Sequence, residues 1–121
     1  MADVQVVTRL VSQVGRIRSD VLRTGFLSSV DFANLQAAAS TIYEAPLYII
    51  DTPNMKLLDL RSVARRLRSK EKIEIIFIDY ITLIASENSS VPRHEQVAEI
   101  SRSLKSLARE LNIPIVVLSQ V

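Results

Sequence analysis

The stretch IEIIFIDYITLIASENSS, residues 73–90, decides the fold. Five of its first six residues are apolar, and the apolar run ends at an acid, Asp79. A short continuous apolar run predicts a strand that is buried on both faces of a sheet. In open sheets of parallel strands, ligands bind at the carboxyl ends of the strands, and Asp79 lies at such an end. The stretch therefore predicts a sheet that holds a carboxylate at its binding edge.

Two helices are predicted before this strand. Apolar residues at helical spacing predict the first over residues 3–14. Ser28 and Asp31 match a capping box at the start of the second helix, which should end near Glu44 because a proline follows. The segment between the helices is basic and contains a glycine, so it is predicted to be a connection with at most one short helical turn.

Three strands and two further helices are predicted in the rest of the chain. The strands are residues 47–50, 73–78 and 113–119, and the helices carry apolar stripes over residues 57–67 and 97–111. Strands separated by helical segments predict βαβ units with right-handed crossovers, and hence a parallel sheet. Because the strands are continuous apolar runs, both sheet faces are expected to be covered. A chain of 121 residues predicts one domain over residues 1–121.

The composition narrows the class of protein without deciding it. The chain is 48% hydrophobic and 23% charged, as soluble globular proteins are, and its net charge of +2 is too small to predict a nucleic-acid partner. It has no cysteine, which excludes disulfides and thiolate metal sites. No apolar run approaches the roughly 20 residues that cross a bilayer, so no membrane partner is expected and the predicted location is the cytoplasm.

Asp79 can be interpreted in two ways. A carboxylate held rigidly after a buried strand can orient the water around a Mg²⁺ bound to a nucleoside triphosphate, as in the Walker-B arrangement. Alternatively, it is a solvated acid that caps the next turn. The next residue, Tyr80, is a poor general base at neutral pH. A phosphate-binding loop needs G-x-x-x-x-G-K-[ST], and neither Gly15 nor Gly25, the only glycines, is followed by Lys and Ser or Thr, so this loop is absent from the sequence.

Two segments resemble the second and third conserved motifs of the DnaB-family replicative helicases. They are IIFIDYITLI, residues 75–84, and RHEQVAEISRSLKSLARELNIPIVVLSQ, residues 93–120. EAPLYIIDTP and LRSVARRLR upstream are similar to the same family, so the resemblance covers nearly the whole chain. It implies an α/β fold, namely a partial RecA-like (P-loop NTPase) three-layer sandwich with a parallel sheet. The chain is expected to lack the Walker-A strand, beginning just after the catalytic glutamate and ending just after the sensor glutamine.

The resemblance also implies roles for individual residues. Asp79 matches the Walker-B acid, which binds Mg²⁺ through water beside ATP. Gln120 matches the residue that senses the γ-phosphate and couples it to DNA. The loop over residues 86–93 corresponds to a central-channel loop near single-stranded DNA, where Asn88 and Arg93 would contact the backbone. Two residues depart from the family: Thr82 replaces the usual glutamine, and Lys56 stands where a Ser or Thr would cap the following helix.

The function implied by the resemblance belongs to a hexamer. The parent protein would couple ATP hydrolysis to movement along single-stranded DNA and to duplex unwinding at the replication fork, with primase and a helicase loader as partners. The 121 residues alone are expected neither to bind ATP tightly nor to unwind DNA. Their last strand, residues 113–119, is expected to leave an apolar edge that favours self-association.

Alternatives stay open at this stage. A receiver-like signalling module has about this length and an acid at a strand end, but it should begin with a strand that ends in paired acids. A RecA-like relative that only binds partners is a further alternative.

His94, the only histidine, is interpreted as a surface residue. One helix carries a cluster of four arginines, Arg61, Arg65, Arg66 and Arg68. The cluster is interpreted as the side of the helix that faces solvent or a neighbouring subunit, and the alternative is a track that binds DNA. Asp51 is interpreted as part of a turn.

Overall fold

The computed structural model describes residues 3–119. It divides into two compact units, the first ending at Asp51 and the second beginning at Thr52. The prediction of one domain over residues 1–121 stays a prediction.

The first unit consists of three helices. They are α1 (Asp3–Gly15), α2 (Ser19–Thr24) and α3 (Ser29–Glu44), and α1 packs against both of the others. The predicted helices over residues 3–14 and from Ser28 to Glu44 are confirmed, and the connection contains one short helix. Gly15 allows α1 and α3 to approach closely, since a Cβ there would lie 3.2 Å from the Cβ of Ala38 and 3.2 Å from the carbonyl oxygen of Asn34.

The start of α3 has the capping box that the sequence predicts. The backbone N–H of Asp31 donates to Ser28 Oγ at 3.1 Å, and the N–H of Ser28 donates to Asp31 Oδ2 at 3.4 Å. These two bonds satisfy backbone donors that the first turn of a helix leaves unpaired.

Ser28→Ala should lower the free energy of unfolding by about 1 kcal/mol, because it removes the acceptor for the Asp31 N–H. Urea denaturation followed by circular dichroism measures the loss. Ser29→Ala is the matched control, since that exposed serine makes no side-chain hydrogen bond among residues 3–119. Equal losses in the two variants would contradict the capping role.

The strand predicted over residues 47–50 is wrong. These residues belong to no strand in the described part of the chain, and Leu47 is 47% exposed and Ile50 50% exposed. A strand is defined by its ladder of backbone hydrogen bonds to a neighbouring strand, so an apolar β-branched run does not by itself become one. Asp51, at its end, accepts a hydrogen bond from the backbone N–H of Asp3 at 3.3 Å, which places a carboxylate at the start of α1.

The second unit is a βαβ unit preceded by a helix. Its elements are α4 (Leu57–Glu71), β1 (Ile76–Ile78), a 3₁₀ turn (Ile81–Leu83), α5 (Arg93–Leu111) and β2 (Ile115–Val117). β1 and β2 are parallel, with Phe77 opposite Val116, and α5 is the crossover between them. The predicted α/β fold with a parallel sheet is confirmed. The strands are shorter than predicted, and the turn after Tyr80 was not anticipated.

The core of this unit lies on one face of the sheet. Ile100 on α5 is completely buried and lies in a cluster with four other buried residues, Leu57, Ile81, Ile84 and Leu104. Ile78 of β1 and Val117 of β2, which are partly buried, pack against this cluster. On the opposite face Phe77 is 69% exposed and Val116 is 38% exposed. The expectation that both faces are covered is therefore wrong for this structure, because the helices of the unit pack on the Ile78 face.

Between residues 3 and 119, no helix is both long enough and apolar enough to cross a membrane.

Candidate functional site

Asp79 lies where the two strands of the sheet end. It directly follows β1 and is exposed. Leu118, directly after β2, donates its N–H to Ile78 O at 2.9 Å and accepts from the N–H of Ile81 at 2.9 Å. These two bonds fasten the end of β2 to the backbone on either side of Asp79. The carboxylate is thus held on a fixed backbone beside the end of the neighbouring strand.

The Asp79 carboxylate is open to a ligand. Within residues 3–119 it accepts no hydrogen bond and forms no ion pair. The alternative in which Asp79 caps the next turn is not observed, since Tyr80 is the N-cap of the 3₁₀ turn and no side chain caps it. Gln120, expected from the resemblance to sense the γ-phosphate, lies outside the described residues, so its role stays a prediction.

Arg93 is the first residue of α5, and its guanidinium reaches back to the turn after Asp79. Its Nη2 donates to Thr82 O at 2.7 Å and its Nη1 donates to Gln96 Oε1 at 3.0 Å. Arg93 is exposed, and no acid among residues 3–119 pairs with it. The charge is therefore positioned by neutral oxygens and left uncompensated, which suits it to an anionic ligand.

Asn88 shapes the tip of the loop over residues 86–93. Its Oδ1 accepts hydrogen bonds from both the N–H and the hydroxyl of Ser90, and its own N–H donates to Ser86 Oγ at 3.2 Å. Such side-chain to backbone bonds two residues apart are typical of Asx turns. The oxygen of Asn88 is thus used within the loop, while the residue itself is exposed.

Glu87 was not identified from the sequence, and it anchors the loop to α4. Its Oε1 accepts a hydrogen bond from the N–H of Leu58 at 3.4 Å, and nearby the N–H of Ala85 donates to Met55 O at 2.9 Å. Lys56, the N-cap residue of α4, makes no side-chain capping bond. The lysine at the N-cap position was the sequence signal for such a contact. A helix whose N-cap residue cannot accept a hydrogen bond leaves backbone N–H groups unpaired, and a carboxylate from another segment can accept from them.

The basic cluster on α4 is largely occupied by contacts with the end of α5. Arg65 makes a bidentate pair with Glu110, at 2.6 and 2.8 Å. Arg68 donates to Leu111 O at 3.3 Å, one of the carbonyls that the end of α5 leaves unpaired, and to Ile73 O at 2.8 Å. Arg61 donates to Ser103 Oγ at 3.4 Å. Three of the four arginines therefore hold α4 against α5, and Arg66 is exposed without a partner among residues 3–119.

The Arg65–Glu110 pair predicts how stability depends on pH. The hydrogen bond from Arg65 lowers the pKa of Glu110. Because the pKa is lower in the folded than in the unfolded chain, the pair stabilises the fold above the unfolded pKa of about 4.3, and this contribution is lost as the pH falls through the folded pKa. When the pH is lowered from about 7 to about 3, the free energy of unfolding should therefore fall less in the Glu110→Gln variant than in the chain with Glu110.

Urea midpoints at the two pH values measure this difference. Glu74→Gln is the matched control, because Glu74 is exposed and has no partner among residues 3–119. If Glu74→Gln flattened the pH dependence as much as Glu110→Gln, the pair would not be its source.

His94 lies on the surface, with its Nε2 4.0 Å from Glu95 Oε1. In the described part of the chain, no group of three or more His, Cys, Asp or Glu side chains is placed to hold a metal ion. The exposure of the His94 side chain agrees with its interpretation as a surface residue.

The chain is similar in sequence to known helicases. Residues 1–121 match the family described as "DnaB-like helicase C terminal domain". The chain is 56% identical over its whole length to "Replicative DNA helicase DnaB" of Treponema pallidum (strain Nichols), of which it covers 28%. It is 42% identical to the protein of the same name from Geobacillus stearothermophilus, of which it covers 27%. The chain thus spans less than a third of the length of these relatives.

Solved structures share its fold. One, described as an "ATPase Domain", has a TM-score of 0.89 and 29% identity, and the match covers 99% of this chain and 44% of that one. A DnaB-like replicative helicase studied with primase has a TM-score of 0.90 and 28% identity, over 100% of this chain and 30% of that one. The fold is that of RecA-like helicase ATPase domains, and the chain belongs to the DnaB-like helicase C-terminal domain family.

Proposed function

We propose that this chain is part of the motor of a replicative DNA helicase. The motor would couple ATP hydrolysis to movement along single-stranded DNA and to separation of the duplex at the replication fork. The observation that carries the proposal is the family match over residues 1–121, combined with an open carboxylate, Asp79, at the joined ends of β1 and β2. The receiver-like alternative gains no support from the comparisons.

The residues at this edge fit a magnesium ion that arrives with a nucleotide. Mg²⁺ in nucleotide sites keeps several waters and takes one or two carboxylates together with substrate phosphates. The described residues offer an exposed carboxylate without a hydrogen-bonding partner and no cluster of three or more ligands, which suits this mode better than an all-protein cage. When bound with ATP, the ion supplies charge neutralisation at the phosphates.

Asp79 would hold that ion by accepting hydrogen bonds from its water ligands. The fixed backbone around Asp79 keeps the carboxylate in place, so little reorganisation is needed when the nucleotide binds. Tyr80 directly follows Asp79 and is not proposed as the general base. Gln120 is proposed as the residue that senses the γ-phosphate.

Arg93 and Asn88 are proposed to bind single-stranded DNA. Arg93 presents an uncompensated charge on an exposed loop, as a contact to a backbone phosphate requires. Asn88 lies exposed at the tip of the same loop and can donate from its amide. Contacts of this kind are independent of base sequence, which a translocating motor needs.

The proposed assembly is a ring of six copies in the cytoplasm, with primase and a helicase loader as further partners. One structural relative was solved to describe its interactions with primase, which supports that partner by similarity. Rings of identical subunits need two different surfaces on each subunit, one for each neighbour.

A segment exchange tests the proposed function. The 121-residue segment of the Treponema helicase that aligns with this chain is replaced by it, and the grafted helicase is assayed for ATP-dependent unwinding of a forked duplex. Unwinding that needs both ATP and Mg²⁺ is expected. The matched control carries the corresponding segment of the Geobacillus relative. The proposal fails if the control graft unwinds the fork and the graft of this chain, equally folded and hexameric, does not.

A further inference from the structure

Gln96 contacts both the loop and the cation of the candidate DNA site. Its Nε2 donates to Val91 O at 2.8 Å and, more weakly, to Ser89 O at 3.5 Å. Its Oε1 accepts the hydrogen bond from Arg93 Nη1 at 3.0 Å. The two ends of one side-chain amide therefore bind two different parts of the site.

We propose that Gln96 is a positioning residue that sets the loop over residues 86–93 and the Arg93 guanidinium in one geometry before DNA arrives. The inference rests on the proposed function, because it concerns the same DNA-binding loop. Gln96 itself need not touch DNA, since it acts through Arg93.

The location of Gln96 suits this role. It lies one helical turn after Arg93, at the i, i+3 spacing where side chains on a helix meet. Its backbone is fixed as well, because the N–H of Gln96 donates to Pro92 O at 3.1 Å. Gln96 is half-buried, whereas Arg93 is exposed. Gln96, half-buried in the first turn of α5, thus restrains the exposed guanidinium of Arg93.

Fixing the cation in advance reduces the cost of binding. A free arginine side chain loses rotamer entropy when it is immobilised on a phosphate. Arg93 is held on one side by Gln96 and on the other by the carbonyl of Thr82. The Thr82 contact uses the backbone, so it does not depend on the side chain at position 82. Gln96 is therefore the member of this network that can be changed by mutation without altering Arg93 itself.

The first measurement is made without DNA, on the 121-residue chain. Rotation of the Arg93 guanidinium about its Nε–Cζ bond is followed by ¹⁵N NMR. Gln96→Leu should speed this rotation by about tenfold, because Arg93 loses one of its two hydrogen bonds. Gln36→Leu, at an exposed glutamine on α3, is the matched control and should leave the rotation unchanged.

The second measurement uses the grafted helicase and a fluorescein-labelled oligothymidylate, whose anisotropy is titrated at several salt concentrations. Arg93→Ala should reduce the slope of log affinity against log salt by about 0.7, the effect of one phosphate contact on single-stranded DNA. Gln96→Leu should weaken binding about threefold when Arg93 is present and have no effect in the Arg93→Ala background. Arg18→Ala removes the same charge within the first unit and controls for net charge, since Arg18 is already paired with Asp20.

The two measurements separate the inference from the function on which it rests. If Gln96→Leu leaves the rotation of Arg93 unchanged, or weakens DNA binding equally with and without Arg93, Gln96 does not position Arg93 and the inference is overturned. If the rotation speeds up but Arg93→Ala leaves the salt slope unchanged, the DNA-binding part of the proposed function fails, and the role of Gln96 in DNA binding fails with it. Faster rotation together with non-additive effects on binding supports both.

Discussion

Asp79→Asn in the grafted helicase is expected to lower the rate of ATP hydrolysis by about 10²–10³-fold. The change keeps the size of the side chain but removes its negative charge and replaces one oxygen with an NH₂ group that donates instead of accepting. The waters of a bound Mg²⁺ would then lose their acceptor at the end of β1. Asp79 has no hydrogen-bonding partner among residues 3–119, so the substitution should leave the fold intact.

Phosphate release under saturating ATP measures the rate, and thermal unfolding checks that the variant is folded. Glu74→Gln is the matched control, because it removes one exposed carboxylate just before the same strand and should keep the full rate. A folded Asp79→Asn protein that hydrolyses ATP as fast as the Glu74→Gln protein would exclude Asp79 from the nucleotide site. Unwinding should fall with hydrolysis, since movement along DNA depends on it.

The position of Asp79 could be predicted from the sequence because it depends on local pattern. An apolar run that stops at an acid specifies both a strand and the edge where the acid lies. The same reasoning failed for residues 47–50, since a strand also needs a partner and pattern alone cannot supply one. It failed again for the outer sheet face, where Phe77 is apolar yet exposed. Apolar character therefore predicted the elements more reliably than it predicted their burial.

The loop illustrates what local pattern cannot reveal. Glu87 accepts a hydrogen bond from the N–H of Leu58 in the first turn of α4, 29 residues earlier in the chain, and no spacing rule connects the two positions. Gln96 looks like an ordinary polar residue in the first turn of α5 until the loop carbonyls that it binds are located. Likewise, the sequence predicted a basic face on α4, but only the folded chain shows that Arg65 and Arg68 reach the end of α5. Contacts of this kind depend on tertiary placement.

Ile100→Ala is expected to lower the free energy of unfolding by about 2–5 kcal/mol. Ile100 is completely buried on α5, so its truncation removes apolar contacts and leaves a cavity that its neighbours can fill only in part. Two of those neighbours flank the candidate site: Ile81 begins the turn after Asp79, and Ile84 precedes the loop. The cavity should therefore loosen the site as well as the core.

Urea denaturation followed by circular dichroism measures the loss for Ile100→Ala. Since single domains are stable by only about 5–15 kcal/mol, this variant could unfold outright, and Ile100→Val, with an expected loss of about 0.5–1.5 kcal/mol, then gives the graded measurement. Ile75→Ala makes the same chemical change at a residue that is 44% exposed, and it should cost about 1 kcal/mol or less. The test is whether Ile100→Ala loses more free energy of unfolding than Ile75→Ala. If the two losses were equal, the exposed face of the sheet would contribute as much packing energy as the core beneath α5.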